Sequence, residues 1–175
     1  MSRFEAVDGR SILALSGESS IHPLHTATTQ LKGYFVATFD GDGQIDLSAP
    51  VDGQIQMPVE SLKSGNVLID RELRNRLDVR RFPQVGAKLI EIRDKNGPER
   101  YRAVGDLTFH GMTQRLEGEL IVRQVDEQTI EIQGEIDLDV RDFKVEPPSL
   151  LVLKVQPAVK AKLHFVVKRA NQPGE

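Results

Sequence analysis

The sequence predicts an all-β domain that closes into an antiparallel barrel, with one short helix near the barrel mouth. Three observations predict it. From Thr129 to Val140, Ile130, Ile132, Gly134, Ile136, Leu138 and Val140 alternate with Thr129, Glu131, Gln133, Glu135, Asp137 and Asp139, the period of a half-buried strand. Extended over twelve residues, at about 3.3 Å per residue, such a strand is long for a flat sheet and natural for one tilted around a barrel. Shorter alternating runs recur along the chain with turn signals between them, and helical periodicity occurs once.

In chain order, strands are expected at Ser11 to Leu15, Leu31 to Phe39 and Gln54 to Val59. A helix follows at about Leu68 to Arg81, where Leu73 and Leu77 share a face, Asp70/Arg74 and Glu72/Arg76 form i,i+4 pairs, and Pro83 ends the segment. Strands resume at Ala87 to Ile92, Tyr101 to Phe109, Leu116 to Arg123, Thr129 to Val140 and Lys160 to Lys168. The turn signals are Asp40-Gly41-Asp42-Gly43, Asp52-Gly53, Asn96-Gly97-Pro98, His110-Gly111 and Pro147-Pro148. A lone helix in such a chain needs a surface to cover, and an open barrel mouth supplies one.

The 175 residues read as a single domain over 1–170 with a flexible tail at 171–175. Hydrophobic residues make up 39% and charged residues 28%, a globular balance. The 23 basic and 26 acidic residues leave a net charge of -3 without a broad positive field, which argues against nucleic acid as a partner. There is no Cys, hence no disulfide frame, thiolate metal site or Cys nucleophile. No apolar run approaches a membrane span, and the first twenty residues lack an export-signal core, so the chain as written is expected in the cytoplasm.

With Gly111 and Met112 as the central residues of a II′ turn, Leu107 faces Leu116, Ala103 faces Leu120, Tyr101 faces Val122, and Gly105 faces Gly118. A pairing of Leu120 with Ile132 then sets Gly118 beside Gly134, forming a level row of three glycines across neighbouring strands. Strand glycines mark either a bend or a place where something approaches the backbone. The expected interior wall comprises Tyr101, Ala103, Gly105, Leu107 and Phe109 on one strand. Leu116, Gly118, Leu120 and Val122 continue it on the next, and Ile132, Gly134, Ile136 and Leu138 on the third. With no Trp and a wall of small residues, a hollow barrel holding an elongated apolar ligand is favoured over a filled one.

The segment SLKSGNVLIDRELRNRLDVRRFP ending at Pro83, the strand-turn YRAVGDLTFHGMTQRLEGEL beginning at Tyr101, and VRDF at Val140 to Phe143 resemble, in order and spacing, the YceI-like family. The resemblance implies an extended eight-stranded antiparallel, lipocalin-like barrel. It further implies a tunnel for a polyisoprenoid such as a quinone tail or polyprenyl phosphate, homodimers, and neither catalytic residues nor cofactors. Two departures stand out. The export signal of many relatives is not seen, and the glycine that usually follows the Asp-Phe pair is Lys144, ahead of VEPPSLLVLKVQP.

Other chemistry is weaker. His22-Pro23-Leu24-His25 does not present converging imidazoles on a helix or strand, so no metal site is expected there. Asp40-Gly41-Asp42-Gly43 has Val51 where a calcium loop needs Glu. Arg71, Arg74, Arg76, Arg80 and Arg81 read as a solvated run matched by Asp70, Glu72 and Asp78, with Arg71 and Arg74 as candidates to hold an anionic head group. The competing functions are a small hydrolase or isomerase using His110 and Asp106, and a structural barrel with a filled core.

Overall fold

The computed structural model describes residues 1–147, 149–150 and 153–171. Its strands are β1 (Ser2–Ala6), β2 (Ile12–Ser19), β3 (Leu24–Thr28), β4 (Lys32–Ala37), β5 (Asp52–Pro58), β6 (Gln84–Lys95), β7 (Arg100–Phe109), β8 (Met112–Gln124), β9 (Thr129–Asp139), β10 (Ser149–Leu150) and β11 (Leu153–Arg169). One α-helix, α1 (Val67–Arg76), lies between β5 and β6. Pro148 of the expected Pro147-Pro148 turn and residues 172–175 of the expected tail lie outside the described residues.

Eight strands close the barrel in the order β1, β4, β5, β6, β7, β8, β9, β11 and back to β1. Phe4 of β1 pairs with Phe35 of β4 on one side and Arg169 of β11 on the other, which completes the ring. Farther along β11, the flank that meets β1 is taken over by β2. β3 then pairs with β2 and reaches the chain beyond β5 through the Ala27–Lys63 bridge and a hydrogen bond from Thr28 Oγ1 to Ser61 Oγ. Register shifts in β6 between Leu89 and Glu91 and between Ile92 and Asp94 supply local bends that curve the wall. A third shift, between Val155 and Val159 in β11, spans Pro157, which cannot donate a ladder bond.

The registers correct the sequence reading in detail while keeping its faces. His110 and Gly111, not Gly111 and Met112, are the central turn residues, with φ of 52° and 73° respectively. This is the I′ pattern. It pairs Tyr101 with Leu120, Ala103 with Gly118 and Gly105 with Leu116. His110 tolerates the left-handed conformation because its ring is fixed by tertiary contacts: Nδ1 lies 3.1 Å from the Phe143 carbonyl, and the ring meets Phe82 edge-on at 4.9 Å. The next hairpin pairs Leu120 with Gly134 and Val122 with Ile132. Both shifts are by two residues, so every inward side chain stays inward.

Asp52-Gly53 is not a turn but the start of β5. A Cβ at Gly53 would sit 3.5 Å from both Leu89 and Phe35, so the glycine admits these neighbours rather than reversing the chain. The helix ends sooner than expected, since Asp78 adopts φ 47° and its carbonyl accepts from the amides of Arg81 and Phe82 in a turn. Asn66 caps its start, accepting from the amides of Leu68 and Ile69. Of the expected ion pairs, Glu72–Arg76 forms at 2.8 Å. Asp70 instead accepts from the Ser64 amide and hydroxyl, and Arg74 donates to the Asp70 carbonyl.

Two apolar clusters divide the interior. The larger packs Phe4, Phe35, Ile45, Tyr101, Val122, Ile130, Phe165 and Val167 into one end of the barrel. The smaller gathers Val59, Leu77, Val79, Phe143 and Val145 beneath α1, with Leu107 and Phe109 against it. Along β7 the inward residues therefore run from one cluster to the other, with Gly105 at the waist.

Candidate functional site

Between the clusters lies a cavity of about 410 Å³, within the ~300–1,000 Å³ typical of small-molecule sites. Its floor is the top of the larger cluster, formed by Phe35, Ala103, Ile132 and Phe165 with Leu89 and Leu163. Below that floor Tyr101 is fully buried, and its hydroxyl accepts from the Ile45 amide at 2.9 Å and donates to Gln44 Oε1 at 3.3 Å. The barrel is thus filled at one end and hollow above it. Burial raises the pKa of the Tyr101 phenol, which stays neutral.

At the other end the lining passes to α1, which turns Ile69, Leu73 and Leu77 toward the space. This is the mouth-covering role expected of a lone amphipathic helix. Asp70, Arg74 and Arg76 bring polar groups to this end. Arg76 is committed to Glu72 and to Glu146 at 2.7 Å, and both partners raise its pKa. Arg74 has no carboxylate partner among the described residues, only the Asp70 carbonyl at 3.3 Å.

Among the expected wall residues, Ala103, Gly105, Leu107, Phe109, Leu116, Gly118, Leu120, Ile132, Gly134, Ile136 and Leu138 border the cavity. Tyr101 and Val122 do not; both are buried in the filled end, where the larger cluster closes around them. The glycines form a diagonal step instead of a level row, Gly105 lying opposite Leu116, Gly118 opposite Ala103 and Gly134 opposite Leu120. They also differ in surroundings. A Cβ at Gly118 would meet nothing within 4 Å, whereas one at Gly105 would lie 3.0 Å from the Lys88 carbonyl and one at Gly134 3.0 Å from Leu120 Cδ2. Only Gly118 of the three opens onto free space.

Of the candidate head-group residues, Arg74 borders the cavity while Arg71 is exposed on the outer face of α1. Asp106 and His110 have separate engagements. Arg115 grips the Asp106 carboxylate at 2.9 and 3.1 Å on the outer wall and holds its pKa below the usual range, and the His110 ring faces the Phe143 carbonyl. The sequence reading missed the lining from the other strands: Leu13 and Leu15 of β2, Leu24 of β3, Ile55 and Met57 of β5, and Val159 and Ala161 of β11. Their alternation was present, but without a hairpin to fix a register nothing placed them opposite the other three strands.

The family model for the YceI-like domain matches residues 16–167. The chain belongs to the YceI-like family. Among solved structures, Burkholderia cenocepacia BcnA superposes with a TM-score of 0.75 at 18% identity, covering 92% of this chain and 98% of that one. A polyisoprenoid binding domain from Saccharophagus degradans, implicated in plant cell wall breakdown, also gives 0.75 at 10% identity, covering 97% and 100%. The Campylobacter jejuni YCEI protein gives 0.60 at 13% identity, covering 80% and 82%. Comparison with curated proteins returns no match. At these identities the structural likeness speaks for the fold. No helix among the described residues is long and apolar enough to cross a membrane.

Proposed function

We propose that this YceI-like protein binds an elongated apolar lipid, a polyisoprenoid or similar chain, tail-first in the half-hollow barrel, as a carrier, store or sensor. The observation that carries the reading is the contrast between the two halves of one barrel. The larger cluster is close-packed, and above it a space of about 410 Å³ is left open with apolar side chains around it. An apolar void of this size forfeits the packing contacts that a filled core would gain, so a chain seated there recovers them. Each CH₂ moved from water into it contributes about 0.8 kcal/mol.

The blind floor at Phe35, Ala103 and Phe165 gives the chain a stop, and α1 at the other end holds the one arginine of the lining that lacks a carboxylate partner among the described residues. Arg74 then serves an anionic or strongly polar head group, such as a phosphate or a quinone oxygen. The Saccharophagus neighbour, described as a polyisoprenoid binding domain, supports the same ligand class. Native mass spectrometry of the purified protein, followed by solvent extraction, tests the reading. A bound lipid with a long hydrocarbon chain is expected. A protein whose mass equals the bare chain, and which takes up no polyprenol on incubation, contradicts it.

A further inference from the structure

The outer face of α1 is built unlike the face that covers the cavity. Ile69 and Asp70 are buried, and Leu73 and Leu77 line the cavity, but Val67 and Leu68 point outward with 76% and 57% of their surface exposed. Arg71 stands three and four residues on, so the exposed stripe reads Val67, Leu68, Arg71. The antiparallel bridge of Ala27 and Lys63 leads the chain into α1 on the side of the β2–β3 hairpin tip. That tip carries Ile21, itself 60% exposed. The tip is fixed to the start of β11, since the Ser20 amide donates to the Lys154 carbonyl and the Lys154 amide donates to Ser20 Oγ.

On the barrel wall, Arg93, Arg100, Arg102, Arg115, Arg123 and Arg141 all have carboxylate partners. At the rim, Lys63, Arg71, Arg74 and Lys154 have none among the described residues. The acids of α1 are already engaged, Asp70 by Ser64 and Glu72 by Arg76. Between residues 60 and 81, Lys63, Arg71, Arg74, Arg76, Arg80 and Arg81 stand against Glu60, Asp70, Glu72 and Asp78, a surplus of two positive charges on a chain of net charge -3. Exposed aliphatic side chains flanked by uncompensated Lys and Arg are what an anionic bilayer surface binds, through burial of the apolar groups and attraction of the cations to the head groups.

We propose that the rim formed by the outer face of α1 and the β2–β3 tip docks the protein on an anionic lipid bilayer, with the cavity mouth against the membrane. This rests on the lipid-binding reading for its purpose: a ligand of low solubility then passes between bilayer and barrel without crossing open water. α1 faces the cavity with one side and the bilayer with the other, so docking and access to the cavity involve the same helix.

Co-flotation of the whole chain with vesicles tests it, using phosphatidylcholine alone and phosphatidylcholine with added phosphatidylglycerol. Stronger flotation is expected on the anionic vesicles, weakening as salt is added. The double variant Val67→Ser, Leu68→Ser should lose about tenfold or more in partitioning, the factor expected from removing two insertable aliphatic groups. The pair Lys63→Gln, Arg71→Gln should lose the preference for anionic vesicles. Cavity lipid, extracted in parallel, should be unchanged in both, because none of the four residues borders the cavity. Absent flotation on either vesicle, flotation indifferent to Val67 and Leu68, or a dimer that those two substitutions dissociate would overturn the proposal. Intact, substitution-sensitive flotation by a protein with an empty cavity would uphold docking and remove the lipid-binding reading.

Discussion

Replacing Gly118 with Leu separates a ligand path from a structural bend. The new Cβ meets nothing within 4 Å and the side chain enters the cavity, so four carbons are added where no protein atom stands. For the empty protein this is neutral or favourable: a strand interior gains roughly 0.5–1 kcal/mol when Gly is replaced, and the added carbons are buried. For the ligand it is costly. Four carbons of lost room, at about 0.8 kcal/mol each, amount to about 3 kcal/mol, on the order of a hundredfold in affinity. The assay is bound polyprenol per protein by native mass spectrometry, with calorimetric melting of the delipidated chains. The expected result is a sharp loss of lipid with an equal or higher Tm. Gly105→Ala is the contrast, because its Cβ would press on the Lys88 carbonyl at 3.0 Å and β6 must shift, lowering Tm. Undiminished lipid in a well-folded Gly118→Leu would refute the reasoning, and so would a stability loss of about 1–3 kcal/mol, the signature of an overpacked core.

Tyr101→Phe should destabilise by about 1–3 kcal/mol, since it strands the buried Ile45 amide, yet leave lipid content unchanged because Tyr101 lies below the cavity floor; calorimetry and extraction read both. Lys144 holds φ 56°, a left-handed conformation that glycine adopts without steric cost, so Lys144→Gly should stabilise by about 1 kcal/mol, raising Tm by roughly 2–4 °C. Asp106 is held below its ordinary pKa of 3.8 by the Arg115 hydrogen bonds and charge. The stability it contributes is therefore full above that ordinary value and lost as pH falls through the lowered folded value. A carboxyl-carbon NMR titration should show the depression, and Arg115→Gln should remove most of it, leaving the smaller contribution of Lys88.

What was legible in the sequence was what a two-residue period determines. Alternation in β7, β8 and β9 assigned inner and outer faces, and a register error of two residues in each hairpin left those faces intact. The error still mattered for the site. The observed register turns a level glycine row into a diagonal step, because the turn is set by contacts of His110 with Phe143 and Phe82 that local sequence does not reveal. Short strands were illegible for a different reason. β1 and β3 have too few residues for a periodic signal, and their places follow from their partners on β11, β4 and β2. On α1 the inward face was readable from Leu73 and Leu77, but Asp70 turned to Ser64 instead of Arg74, which a helical spacing rule cannot anticipate.

The central claim is that a blind apolar cavity holds a chain tail-first, and affinity measured across a polyprenol series of increasing length tests it most directly. Titration calorimetry on the delipidated protein should show binding that strengthens with each added isoprene unit, bounded by about 0.8 kcal/mol per carbon, until the tail reaches the floor at Ala103 and Phe165. Beyond that length the affinity should stop rising. Affinity that is independent of chain length from the shortest member onward, or that keeps rising without a limit, would contradict the account.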